Sequence, residues 1–333
     1  MIENLLNSPP SWLNFGIFFL LATVLLLVIL GFVTYGILAE RKVMGFMQAR
    51  QGPNQVGGRW GLLQTVADVL KLLIKEDVIP KVADRPLFIL APVLAFAPAF
   101  MVVAALPFTE SYKFADIGVG LLYYIAVSGL TTIGIVAGGW ASNNKYALMG
   151  GMRAAAQMIS YEIPLVMSVI GVILLSGSLN LSDIVEAQDK VWFIFAQPIA
   201  FIVFFIASVA ELNRVPFDLP EAESEIVAGF HIEYSGFRWA FFMLAEYVYM
   251  FAMAALTTVL FLGGWKPVLF LDFIPGAVWF SLKFSLVIFV LIWFRSTFPR
   301  LRADRLMEFG WKVLLPIALA NIFLSALIKE LFF

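Results

Sequence analysis

The chain has 333 residues, a formal net charge of −1, 62% apolar and only 14% charged residues, no cysteine and one histidine, with a mean hydropathy of +0.92. This composition lies outside the range of soluble domains and defines a polytopic membrane protein. It gives no basis for nucleic-acid binding, it removes disulfides, thiolate-held iron–sulfur clusters and zinc–thiolate sites, and a lone His231 argues against metal or haem chemistry.

Crossing the hydrocarbon layer takes about 20 apolar residues in a helix. Runs of that kind predict an all-α membrane domain over 1–333 with about eight transmembrane helices, at 13–38, 87–108, 117–139, 153–175, 194–213, 237–262, 276–295 and 310–331. The intervening loops at 39–86, 140–153, 214–238 and 295–312 hold 8, 2, 2 and 5 lysines and arginines, which is 17 of the 22. That excess predicts that these loops are cytoplasmic and that both termini lie outside.

Within the first cytoplasmic loop (39–86), Leu62, Val66, Val69, Leu70, Leu73 and Ile74 share one helical face while Gln64, Asp68, Lys71 and Lys75 share the other. The pattern predicts an amphipathic interfacial helix of about 14 residues. It is compatible with a helix lying on lipid and with one roofing a cavity for an amphiphilic ligand. Glu40 and Arg41 close the first span, where Arg41 reads either as a positive-inside anchor or as a contact for an anionic or quinoid head group.

Ionisable residues inside the spans form the next pattern. Glu162 falls in the fourth span, Glu211 at the end of the fifth, Glu246 in the sixth and Lys283 in the seventh. Charges beside hydrocarbon are costly and ordinarily face a polar cavity or an ion path. If they converge they form a line of titratable sites suited to proton relay; singly, each reads as a structural hydrogen-bonding group between helices.

The stretch AELNRVPFDLPEAESE (210–225) feeds that line. Glu211, Asp218, Glu221, Glu223 and Glu225, with Glu233 beyond, crowd the end of the fifth span, and Arg214 is the one cation near them in sequence. Pro216 and Pro220 stop helix continuation and predict an irregular acidic loop over 214–236. Irregular backbone at this depth is tolerated where it lines a cavity, although a solvated charged loop gives the same pattern. His231 in this loop reads as a surface or capping residue ahead of a catalytic one.

The stretches AERKVMGFMQARQGPNQVGG (39–58), LLQTVADVLKLLIKED (62–77), WASNNKYALMGGMRAAAQMISYEIP (140–164), AELNRVPFDLPEAESEIVAGFHIEYSG (210–236) and FGWKVLLP (309–316) closely resemble the H-subunit family of bacterial NADH:quinone oxidoreductase. This family is the counterpart of mitochondrial NADH dehydrogenase subunit 1 in respiratory complex I. The resemblance covers essentially the whole chain in order. It implies an enzyme subunit that docks the hydrophilic arm, forms part of a quinone chamber and couples quinone reduction to proton translocation.

Ubiquinone or menaquinone would be the substrate, and no metal, flavin or iron–sulfur cluster would be bound by this chain; the redox centres would sit on partner subunits. The implied partners are the quinone-site and iron–sulfur subunits of the hydrophilic arm, the small and antiporter-like membrane subunits, and membrane lipids. The implied location is the bacterial cytoplasmic (inner) membrane. Carried onto this sequence, the quinone chamber and its entrance match Glu40, Arg41, Arg50 and Asp68, with Arg214 in the acidic-loop motif. The coupling path matches Glu162, Glu211, Asp218, Glu221, Glu223, Glu225, Glu246 and Lys283. A membrane subunit of an energy-converting hydrogenase and a free-standing ion transporter are the alternative readings. Against the transporter stands the lack of an internal inverted repeat with paired broken spans.

Overall fold

The computed structural model describes residues 12–110, 112–220, 223–267 and 273–332. Among the described residues the chain is helical, and its β-structure is one isolated bridge, Pro107 to Lys113. The fold divides into two compact units, Met1–Lys71 and Leu72–Phe333.

The first unit is built on helix α1 (Trp12–Met47). Past its end the chain turns back: the Arg50 amide donates to the Gly45 carbonyl at 2.9 Å, and Ala49 takes a positive φ of 54° to make that reversal. Helix α2 (Gln64–Ile74) follows. The amphipathic helix is therefore present, with 11 helical residues instead of about 14. Its apolar face is open, with Leu70, Leu73 and Ile74 all exposed, which suits a helix that meets lipid.

In the second unit, α3 (Arg85–Val103) starts at Asp84, whose carboxylate accepts from the Leu87 amide, and Arg85–Pro86 opens the first turn, where a missing N–H costs nothing. Helix α4 covers Gly120–Ala141, and α5 runs over Lys145–Ser176, capped by Asn144 at one end and by left-handed Gly177 (φ 73°) at the other. Because Asn144 supplies a cap, α5 starts eight residues before the predicted 153, and the loop to α4 shrinks to Ser142–Asn144.

The fifth predicted span is interrupted. A short helix α6 (Phe193–Ala196) is followed by α7 (Pro198–Glu211), only 14 residues long. Gln197 between them has φ −137° and ψ 63°, as expected where the following proline clashes with a helical predecessor. The Gln197 side chain ties the break to α5, with Nε2 donating to the Gly171 carbonyl at 2.8 Å.

After the acidic loop come α8 (Gly236–Phe261), α9 (Gly276–Thr297) and α10 (Ala303–Leu331), the last carrying a π-turn at Gly310–Leu314. Among the described residues seven helices are long and apolar enough to cross a membrane, and α7 is an eighth, shorter apolar one. Helix α8 is the core of the second unit, with 83% of its most apolar window buried. It packs on α3 and α9, while α5 packs on α4, α7 and α10.

Candidate functional site

Three helices of the second unit bring the acids together. Glu211 ends α7, Glu246 lies ten residues into α8, and Glu162 sits on α5 about 25 Å from the start of that helix at 1.5 Å per residue. Glu211 is buried at 4% exposure. Its Oε1 accepts the Tyr249 hydroxyl at 2.5 Å, while Oε2 has no hydrogen-bond partner. Glu162 lies within electrostatic reach of Glu211. Its carboxyl approaches α4 at Gly129, where a Cβ would stand 3.1 Å from Oε1, a tight contact.

Glu211, Glu246, Tyr249, Asn213 and Thr131 line one cavity of about 50 Å³. That volume exceeds the roughly 10–15 Å³ that one water needs, and the rest of the lining is apolar, with Ala95, Ile135, Phe230 and Phe242 among it. A buried acid with a free lone pair beside a second carboxylate on the same cavity is an arrangement that can accept and hold a proton.

Arg214 turns inward from the loop. Its side chain is 3% exposed, its Nε donates to Glu246 Oε1 at 2.9 Å, and its guanidinium lies 4.7 Å from the Tyr247 ring centre. The cation nearest the acidic loop in sequence thus pairs with a membrane carboxylate.

Glu225 of the loop has cations from other elements. Glu225 accepts from Arg153 of α5 at 2.6 Å and has Arg300 at 3.8 Å. The Arg153 hydrogen bond is the main reason its carboxyl is held below the usual range. For Glu225 the partner is out of view of any local reading, since Arg153 lies 72 residues away in sequence. Glu233 accepts from Asn144 at 2.6 Å, and Asp218 is half-buried. Glu221 and the side chain of Glu223 lie outside the described residues.

His231 is not a surface residue. It is buried against Phe230, with Nδ1 2.9 Å from the Ala228 carbonyl, and burial pushes its pKa from 6.5 down to about 4. The folded state therefore holds it neutral where the unfolded chain would be protonated. Its contribution to stability is complete above pH 6.5 and is lost as pH falls from 6.5 towards 4, by up to about 3 kcal/mol. A His231→Gln variant is expected to lose less thermal stability than the parent between about pH 7.5 and about pH 5. Parallel losses in the two proteins would show that His231 is not the titrating group.

Lys283 does not join the carboxylates. Its ammonium donates to the carbonyls of Leu262, Gly264 and Lys266 at 2.7, 3.1 and 2.6 Å and lies 4.2 Å from the Trp192 ring centre. It closes the C-terminal end of α8, where a cation complements the helix dipole. That end is fifteen residues, about 22 Å, along α8 from Glu246.

In the first unit, Arg41 pairs with Asp68 at 2.5 Å, Gln64 donates to the other Asp68 oxygen at 3.3 Å, and Glu40 is buried. Arg41 and Arg50 line one recess of about 340 Å³ with Met44, Gln51, Gly52 and Pro53. The two arginines and Asp68 singled out from the sequence therefore belong to one polar neighbourhood at the end of α1.

Sequence reasoning gave no role to Tyr249, Gln157, Arg153 or Gly129. The signal for Tyr249 was its spacing: three residues after Glu246, it lies on the same side of α8. The signal for Gln157 was an amide inside an apolar run.

The fold and this site define an α-helical, multi-pass membrane protein with a cluster of carboxylates and one arginine inside its core unit. The family model described as NADH dehydrogenase matches residues 20–326, and the chain belongs to that family. It is 82% identical, over all 333 residues and the full length of each relative, to the NADH-quinone oxidoreductase H subunits of Geobacillus sp. (strain WCH70) and Anoxybacillus flavithermus (strain DSM 21510 / WK1). It is 80% identical over the same length to the protein of that name from Bacillus mycoides (strain KBAB4). The resemblance read from the five motifs is borne out.

Proposed function

We propose that the chain is the membrane subunit of a proton-translocating NADH:quinone oxidoreductase that couples quinone reduction to proton translocation. Reducing a quinone to its quinol consumes two electrons and two protons, so turnover changes both charge and proton demand beside the nearest ionisable groups. In this reading Glu40, Arg41, Arg50 and Asp68 belong to the quinone chamber and its entrance. The acidic loop, with Asp218, Glu221, Glu223 and Glu225, responds to the change, and Glu211, Glu246 and Glu162 carry it into the membrane domain. Lys283 acts as the fixed charge at the far end of α8.

The electrons reach the quinone from iron–sulfur centres on a neighbouring subunit, and the antiporter-like subunits receive the coupling. The setting is the bacterial cytoplasmic membrane with both termini outside, and the quinone is ubiquinone or menaquinone. Support comes from the names of the full-length relatives and from the site. The observation that carries the reading is Glu211, a buried carboxylate with one oxygen held by Tyr249 and the other without a partner, on a cavity shared with Glu246.

The test is Glu211→Gln in the assembled complex, with inhibitor-sensitive NADH:quinone turnover and proton pumping measured in membrane vesicles. The amide keeps the size and removes the titrating group. Turnover and pumping are expected to fall by about tenfold or more, as for loss of a proton-transferring group. Full activity in Glu211→Gln would end the proposal. A hydrogenase-type assembly would instead copurify with a hydrogenase large subunit and show no quinone activity.

A further inference from the structure

We propose that Gln157 is a positioning residue for the coupling carboxylates: its buried amide clamps the turn that carries Glu211 and Arg214. The inference rests on the function proposed above and adds a residue to which the sequence reading gave no role.

Gln157 lies on α5, fully buried at 0% exposure. Its Nε2 is 2.7 Å from the Ala210 carbonyl, 3.1 Å from Asn213 Oδ1 and 2.7 Å from the Phe217 carbonyl. Backbone carbonyls only accept, so the NH2 end of the amide must face them. Its own Oε1 has no hydrogen-bond partner. The side chain is therefore used entirely as a donor, and its acceptors begin and end one tight segment of chain.

That segment contains the site. Glu211 and Arg214 both fall between the two clamped carbonyls, and Asn213 is held at φ 51°, a left-handed conformation that a non-glycine residue enters at a cost. Without the clamp the Phe217 carbonyl loses the Gln157 donor and the Ala210 carbonyl is left with the Asn213 amide, so other loop conformations that release Asn213 become competitive. The bonds from Glu211 to Tyr249 and from Arg214 to Glu246 both depend on that backbone path. The Gln157 amide donates to backbone carbonyls and to Asn213, so it acts on the two ionisable residues through the backbone.

Two isosteric variants separate this role from packing. Gln157→Met keeps the volume and removes the donor at every pH. Gln157→Glu has no donor when ionised and one when protonated. The titratable and charged groups around it are Arg153 and Tyr161 one turn to either side on α5, Glu211 and Arg214 on the clamped segment, and Asp218 just beyond it; these are common to all the proteins compared.

The complex carrying each variant is measured for quinone turnover from about pH 6 to about pH 9, with assembly read from a native gel. Gln157→Met is expected to assemble and to lose turnover on the order of tenfold throughout. Gln157→Glu is expected to match that loss at high pH and to regain turnover towards low pH.

Wild-type turnover in Gln157→Met overturns the inference, and so does a Gln157→Glu profile parallel to the wild type or to Gln157→Met. If Gln157→Met does not assemble, the Gln157→Glu profile decides alone. Glu211→Gln is run beside them. If it loses turnover while the Gln157 variants do not, only the clamp fails; if it keeps turnover, the coupling reading fails.

Discussion

Arg214→Met is expected to reduce both the amount of assembled protein and its activity, because it leaves Glu246 in the core without its cation. The guanidinium is 3% exposed and donates to Glu246 at 2.9 Å while lying against the Tyr247 ring. Removing one partner of a buried pair costs about 3–5 kcal/mol, because the remaining charge has lost its solvation and gained nothing in return. Glu246 retains 21% side-chain exposure, which places the expected cost at the lower end of that range.

The measurement is thermal unfolding of the purified protein together with native-gel abundance, carried through a double-mutant cycle. Glu246→Gln neutralises the stranded acid, so Arg214→Met combined with Glu246→Gln should recover much of the stability that Arg214→Met loses. If the double variant falls by the sum of the two single losses, the pair is not what holds this part of the fold.

Gly150→Ala is expected to lower stability by about 3 kcal/mol, at the upper end of what overpacking a core costs. A Cβ at Gly150 would lie 2.5 Å from Gly229 Cα and 2.7 Å from both Gly229 C and Phe230 N. These are backbone atoms, so no rotamer change makes room. Helix α5 and the turn at Gly229–His231 would have to part by about 1 Å to restore ordinary contact. Phe230 of that turn lines the cavity with Glu211 and Glu246, so turnover should fall with stability.

Gly151→Ala is the control, since its Cβ would meet nothing closer than 3.4 Å. Alanine is the better helix former by about 1 kcal/mol, so this neighbour should be neutral or slightly stabilising. Equal melting of the two variants would show that α5 and the turn are not in contact as described.

The all-α membrane architecture was legible because each long span states its own solvent: hydrocarbon requires an apolar run of fixed length, and that run is local in sequence. The acids Glu162, Glu211 and Glu246 were legible for the complementary reason, since a carboxylate inside such a run is costly without a use. The interrupted fifth span had a local signal as well, the Gln197–Pro198 pair, which a hydropathy window averages away.

Pairings were not legible, because they depend on which helix faces which. Arg214 stands beside the acidic loop in sequence and binds Glu246, 32 residues on. Glu225 finds Arg153 from another helix. His231 looks like a loop residue and is buried by packing against Phe230. Lys283 shares the intramembrane charge pattern of the acids, yet its ammonium is spent on the carbonyls at the end of α8.

The sequence by itself determined that this chain crosses a membrane as helices, which residues carry charge into it, and to which family its motifs belong. Only the tertiary structure decided that Glu211 and Glu246 share a cavity, that Tyr249 and Arg214 hold them, and that Lys283 stands apart. Burial and span length follow from a residue and its near neighbours, whereas the partner of a buried charge is set by close packing between helices far apart in the chain.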